Sequence, residues 1–325
     1  MKAIVNTAPG RLELLEIPLP EPGPGHVRIR TLACGVCATD LQMINGWTRT
    51  GFPAIPGHEW CGVVDAAGPG VSAALAGRRC VAENALGDGG GEVGFEHPGG
   101  YGEYFITLAR NVHVLPDNFT SVAGVLVEPL AVCVRALRRL SLQDRSAALV
   151  LGDGPIGLLM AGLLAREGVS QIGLVGGRPA RLALAQELGA RQVFNYRSAE
   201  GELAEALGRA FGRRFPTVIE ASGSAAAMAA ALRLVEKCGS VLAIGDYADT
   251  RAGFAWNELL HGEWTLVGSN ASADAWPEAV RLACEGFPLE RLVTHRFPAA
   301  QFQAAVAAAR SCRDAIKVVM IWEEN

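Results

Sequence analysis

Gly152-Asp153-Gly154-Pro155-Ile156-Gly157 decides the fold by what lies on either side of it. Before it, Ala148-Leu149-Val150-Leu151 reads as an apolar strand; after it, residues 156–166 read as a helix. A G-x-G-x-x-G run is weak alone, but on a strand-to-helix turn it is the mark of a dinucleotide site. Gly152 permits the tight turn, and Gly154 lets backbone N–H groups approach a pyrophosphate. Gly157 allows close helix–strand packing, and the helix N-terminus favours the anion. Pro155 and Ile156 complete the loop and open the helix.

Downstream the alternation continues. Ile172-Gly173-Leu174-Val175 is a second strand and 180–188 a second helix. Strands at 193–195 and 217–220 follow, then a helix over 225–237 and a strand over 240–244. Strands alternating with helices predict a doubly wound parallel sheet. An NAD site would place an acid at the end of the second strand for the ribose 2′-hydroxyl. Here that strand ends Val175-Gly176-Gly177-Arg178-Pro179, with a guanidinium and no carboxylate. Arg178 can form charge-assisted bonds to a 2′-phosphate, each contributing about 1.5–3 kcal/mol. Tyr196, after the next strand, is placed to add a hydroxyl. These residues predict NADP(H) over NAD(H).

Upstream the pattern is different. Residues 1–119 read as short strands broken by Gly and Pro, with one short helix after Thr39. A long helix over 123–140 links the two parts, and Pro129 should bend it or start its second segment. After a helix at 299–310, a last strand at 316–321 suits either the parallel sheet or the N-terminal domain. Within the β-rich part, Gly35-Val36-Cys37-Ala38-Thr39-Asp40 and Gly57-His58-Glu59 supply a thiol, an imidazole and a carboxylate. That donor set can hold a divalent zinc ion and leave a fourth position for water or substrate.

Bulk properties narrow the function. The net charge of −4 is spread without a basic run, which gives no footprint for nucleic acid or a membrane surface. The start, Met1-Lys2-Ala3-Ile4-Val5-Asn6, lacks the apolar core of a signal peptide, and no apolar stretch reaches a membrane span. Eight scattered cysteines suit reduced thiols, and so a cytoplasmic location. Glycine is abundant, 39 of 325 residues against a usual fraction of about 7%.

Taken with Gly100-Tyr101-Gly102-Glu103-Tyr104 and Glu128-Pro129-Leu130, these motifs resemble the zinc-dependent medium-chain dehydrogenase/reductase family, the alcohol, sorbitol and threonine dehydrogenase group. The resemblance covers nearly the whole chain. It implies an α/β protein with a GroES-like β-barrel catalytic domain (1–122), a Rossmann NADP-binding domain (123–270) and a return to the catalytic domain (271–325). The closing strand would then join the N-terminal domain. Cys37 and His58 would be zinc ligands, with Glu59 and Glu128 competing for the third place. Asp40 would fix the His58 tautomer, and Thr39 would hold the substrate hydroxyl. The stretch Gly176-Gly177-Arg178-Pro179 with Tyr196 looks like the NADP-specific secondary alcohol dehydrogenases of the family. The strand at 264–268 would pair with its copy in a homodimer or homotetramer.

Two departures from the family stand out. No cysteine lies between Val81 and Tyr104, where a structural zinc lobe would be. One catalytic zinc, no structural zinc and a flexible loop are expected, with Glu96 and His97 as solvated loop residues. Gln42 replaces the histidine that would end a proton relay, and glutamine carries no proton at neutral pH. Zinc can bring a bound oxygen acid from pKa ~16 to ~7, whereas a positioned general base adds about 10²–10⁴-fold. The metal therefore matters more to the rate than the missing base. The expected activity is alcohol–carbonyl interconversion by hydride transfer. The alternatives are an NADPH-dependent reductase of a conjugated C=C or C=N bond, and a non-catalytic NADPH-binding protein. Trp47 and Trp60 flank the metal motifs as either pocket or core residues.

Overall fold

The computed structural model describes residues 1–87, 89–248, 250 and 254–322. They divide into two units, Met1–Ala131 with Ala273–Asn325, and Val132–Ser272.

In Val132–Ser272 six strands form one parallel sheet. Their order is Gln192–Asn195, Gln171–Gly176, Ala147–Leu151, Phe215–Glu220, Val235–Ala243 and Thr265–Gly268. Ala147–Leu151 is apolar and buried throughout, as a central strand covered on both faces requires. The chain turns outward in opposite directions from it, so the carboxyl end of Ala147–Leu151 is the switch point where such sheets bind ligands. Gly152 follows directly.

Two details differ from the sequence reading. The expected helix over 225–237 ends at Leu234, and the strand Val235–Ala243 begins at once. Val235 is buried, β-branched and paired with Phe215, so an apolar residue read as helix face is the first residue of a strand. A helix at Leu203–Phe211 and another at Trp256–Gly262 also belong to this unit. Thr265–Gly268 is the edge of the sheet, and Leu266 on it is exposed.

The other unit is built on one long strand, His26–Val36. Its first half alternates in burial, which the sequence shows; its second half is buried at every position and shows no alternation. Trp60–Ala67 pairs along it, Tyr104–Leu108 pairs with its start and Lys317–Ile321 with its end, all antiparallel. Val293–Pro298 continues the sheet beyond Lys317–Ile321, and Arg79–Ala82 and Val112–Val114 continue it on the other side. The register sets Val318 opposite Val36. The closing strand therefore brings Lys317 to the place where His26–Val36 ends and Cys37 begins.

The units divide inside the expected linking helix. That segment is two helices, Ser121–Gly124 and Val127–Leu140, with Pro129 in the tolerated first turn of the second. A side chain on Gly124 would collide with Cys61 of the strand Trp60–Ala67, so residues 121–124 are packed into the first unit.

Candidate active site

Cys37 is the N-cap of the short helix Ala38–Ile44, and Asp40 is its third residue. The Cys37 N–H donates to Asp40 Oδ2 at 2.8 Å, a capping box that fixes both side chains. Asp40 is fully buried, and its other oxygen lies 3.3 Å from His58 Nδ1. No other hydrogen-bond partner reaches either atom among the described residues. Glu59 is buried against Gly35, where any side chain would strike its carboxylate. The two motifs thus interlock through a glycine. They bring a sulfur of Cys37, a ring nitrogen of His58 and a carboxylate oxygen of Glu59 within 4.8 Å of one another. This is the one such donor group among the described residues. The Thr39 hydroxyl lies 3.8 Å from Cys37 Sγ.

Sequence reasoning missed Lys317. Its ammonium donates to both Glu59 oxygens, at 2.7 and 2.6 Å, with both side chains buried. The one available signal was a lysine opening an otherwise apolar strand, Lys317-Val318-Val319-Met320-Ile321. Burial is the largest single influence and lowers the Lys317 pKa, but the Glu59 charge and hydrogen bond, with the charges of Cys37 and Asp40, together outweigh it and the pKa stands above its ordinary value. His58 behaves alike: burial pulls it down, and the Asp40 carboxylate, with Cys37 adding, carries it well above the usual imidazole value. Glu128 is partly buried and outside the donor group. Burial pushes its carboxyl up to about 7, against the favourable charge of His58.

The loop expected to be flexible is instead pinned. Ala85 bridges to Glu92 and Val93 to His97, and Val93 and Phe95 are buried. Phe95 stacks on the His58 ring with centroids 4.7 Å apart. The Arg49 guanidinium lies over Phe95, 4.3 Å from its centroid. Arg49 also reaches Glu96 at 2.6 and 3.1 Å and Glu92 at 3.2 Å. Glu96 is exposed, as expected, and also ion-paired; His97 is exposed too, and its Nε2 contacts the Gly90 carbonyl. Of the two tryptophans, Trp60 is core, edge-on to Phe105, and Trp47 packs edge-on to Phe95.

In the parallel-sheet unit Gly152 has φ +126°, and a side chain on Gly157 would run into the Gly152 carbonyl. Gly154 is the N-cap of Pro155–Arg166, with Pro155 in the first turn and open space around its Cα. Nothing in the chain itself requires a glycine there; the close approach of a ligand would. The second strand ends as expected with Gly176, Gly177 and Arg178, and the Tyr196 ring lies against Gly177. Two neighbours were missed. Asp153, from the glycine loop, accepts from the Gly177 and Arg178 N–H groups at 2.9 and 3.0 Å. A carboxylate thus does sit at this strand end, but its Oδ2 is spent on two backbone donors. Arg197 donates to the Gly177 carbonyl at 3.0 Å and lies over the Tyr196 ring. The Arg178 side chain has no partner among the described residues.

A glycine loop at the carboxyl end of a doubly wound sheet, and a separate β unit carrying a sulfur, nitrogen and oxygen donor group, define a two-domain dinucleotide-dependent dehydrogenase. Residues 23–117 match the family described as alcohol dehydrogenase GroES-like domain, and residues 155–285 that described as zinc-binding dehydrogenase. D-altritol 5-dehydrogenase of Agrobacterium fabrum is 32% identical over 320 residues, 92% of this chain and 93% of its own. Sorbitol dehydrogenase of Bombyx mori is 30% identical over 319 residues, 91% of each chain. A solved Sinorhizobium meliloti structure bound to NADP superposes with a TM-score of 0.91, at 25% identity and 98% coverage of both chains. This chain belongs to the zinc-type medium-chain dehydrogenase/reductase family of alcohol dehydrogenases.

Proposed function

We propose that the chain is a zinc-dependent oxidoreductase that moves a hydride between NADP(H) and an alcohol/carbonyl pair, the alcohol being a secondary alcohol or polyol. The observation that carries this reading is the Cys37, His58 and Glu59 donor group. Its thiolate, imidazole and carboxylate chemistry fits zinc, and Glu59, as a member of the group, is the better third ligand than Glu128. A zinc ion held there would supply a Lewis acid at the substrate oxygen.

The remaining work falls to side chains. Asp40, 3.3 Å from His58 Nδ1, orients the imidazole so that its other nitrogen faces Cys37. Phe95 fixes the plane of the same ring. Thr39 holds the substrate hydroxyl. Gln42 ends no proton relay, so the proton leaves through water or a ribose hydroxyl, at a cost of about 3–5 kcal/mol relative to a positioned base. Gly152, Gly154 and Gly157 with the helix start at Pro155-Ile156 take the pyrophosphate. Arg178 and Tyr196 take the 2′-phosphate, and the engagement of Asp153 with two N–H groups supports NADP(H) over NAD(H). The exposed residues Trp256, Leu260 and Leu266 around the sheet edge support pairing with a second copy. No described helix is long and apolar enough to cross a membrane; a cytoplasmic site of action is part of this reading.

The test is a panel of secondary alcohols, polyols and their carbonyls with both cofactors. Turnover of at least one pair with NADP(H) preferred supports the reading. Reduction of conjugated C=C or C=N substrates alone, or tight NADPH binding with no turnover, would replace it.

A further inference from the structure

Cys312 lies outside the donor group, just after the helix Phe302–Ser311, and is partly buried. Its sulfur is 3.5 Å from Nε2 of His295, a residue of the strand Val293–Pro298. The other ring nitrogen, Nδ1, is 2.9 Å from the Thr294 hydroxyl. That hydroxyl donates to the Lys317 carbonyl at 3.3 Å and accepts from the Ile316 N–H at 3.0 Å.

A hydroxyl has one proton and two lone pairs. With its proton on the Lys317 carbonyl and one lone pair taken by Ile316, the remaining lone pair accepts from an Nδ1–H; in that tautomer, which the proposal below assigns, Nδ1 carries the ring proton. Nε2 is then a bare base facing the thiol, and the contact runs from S–H to nitrogen. A nucleophile, a base and a third group that orients the base make the arrangement that activates a thiol.

We propose that Cys312 is an activated thiol that forms mixed disulfides with low-molecular-weight disulfides, with His295 as its base and Thr294 as the residue positioning that base. The Cys312 proton passes to His295 Nε2, and the thiolate attacks one sulfur of the disulfide. A new S–S bond forms as the old one breaks, and the departing thiolate takes the proton from His295. Cys312 is oxidised and the departing half reduced, so no other oxidant enters.

Cys238 and Cys284 serve as internal controls, because both are more exposed than Cys312. Cys238 faces the Glu263 carboxylate at 3.8 Å and has no histidine beside it among its described contacts. The intact chain, supplied with zinc and NADPH, is incubated with glutathione disulfide, and each cysteine is followed by peptide mass spectrometry. Cys312 should be modified at least about tenfold faster than Cys238 or Cys284. His295→Gln should slow Cys312 by about tenfold or more and leave the other two unchanged, and Thr294→Val should slow it less. Buried Cys34, Cys61, Cys80 and Cys133 report folding of each variant by staying unmodified. Should His295→Gln fail that check, Thr294→Val and the order in the unaltered chain decide. An order that follows exposure, or no slowing in the folded variants, overturns the proposal.

Discussion

In Val132–Ser272 the dinucleotide loop occupies six consecutive residues, and its shape is backbone shape: a positive φ at Gly152, a close approach at Gly157 and a helix start at Pro155. In the other unit the donor group takes residues 37, 58 and 59 and is held by residues 40, 49, 95 and 317. One site is local and made of peptide groups; the other is assembled across a sheet from side chains and buried charge. A local backbone site tolerates change in its surroundings. An assembled one depends on every charge having its partner.

That difference predicts where substitutions hurt most. In the zinc-free chain, Lys317→Met should leave the Glu59 carboxylate buried and unpaired, a loss of about 3–5 kcal/mol read as a lower thermal midpoint. Glu59→Gln in the same chain should restore most of it. A single variant as stable as the original would show that the pair is not what holds this site.

In the cofactor unit the corresponding charge, Arg178, has no side-chain partner among the described residues. Arg178→Ala should cut the NADP(H) to NAD(H) preference in kcat/KM by about ten- to a hundredfold, with stability unchanged. An unaltered ratio would misplace the 2′-phosphate. A carboxylate at Gly176 is a poorer test, because any side chain there strikes Asp153.

The assembled site should also respond to pH in the zinc-free protein. Glu128 keeps its proton up to about 7 in the fold, against an ordinary value of 4.5. The folded chain then binds more protons than the unfolded one across that window, so stability falls as pH rises through it. His58 acts with the same sign. Its contribution is complete below its ordinary value of 6.5 and is lost as pH rises through its raised folded value. Denaturant midpoints between about pH 5 and about pH 8 should fall, and Glu128→Gln should flatten the lower part of the slope. A slope left unaltered in that variant would remove Glu128 as its cause.

The smallest effect is expected at Arg49. Its stack on Phe95 contributes about 0.5–1 kcal/mol and its half-exposed ion pairs up to about 1 kcal/mol. Arg49→Ala should speed amide exchange at Val93 and Gly94, whose N–H groups hold the loop together. Equal exchange would mean that backbone bonds suffice.

The same contrast governs what could be read from the sequence. Gly152 to Gly157 was legible because the reasons for its glycines lie within the motif. Cys37, His58 and Glu59 were legible as donor types, and Gly35 explains why a glycine precedes them. Lys317 was not legible, since it meets Glu59 258 positions away through a strand register that no local pattern encodes. Phe95 and Arg49 were hidden for the same reason, and a glycine-rich loop reads as flexible when its anchors lie elsewhere in the chain. Asp153 shows the limit even in the local site. The carboxylate sought at the end of the second strand reaches it from a loop 24 residues earlier.

If the assembled donor group is a zinc site on which turnover depends, removing its thiol should remove both. The direct measurement is zinc content and alcohol turnover of Cys37→Ala beside the unaltered chain, with NADPH affinity measured on both. About one zinc per chain is expected in the original. The variant should lose the metal and fall in turnover by at least about a thousandfold, with NADPH affinity retained. Full turnover by a zinc-free Cys37→Ala protein would contradict a zinc-dependent reaction at this site.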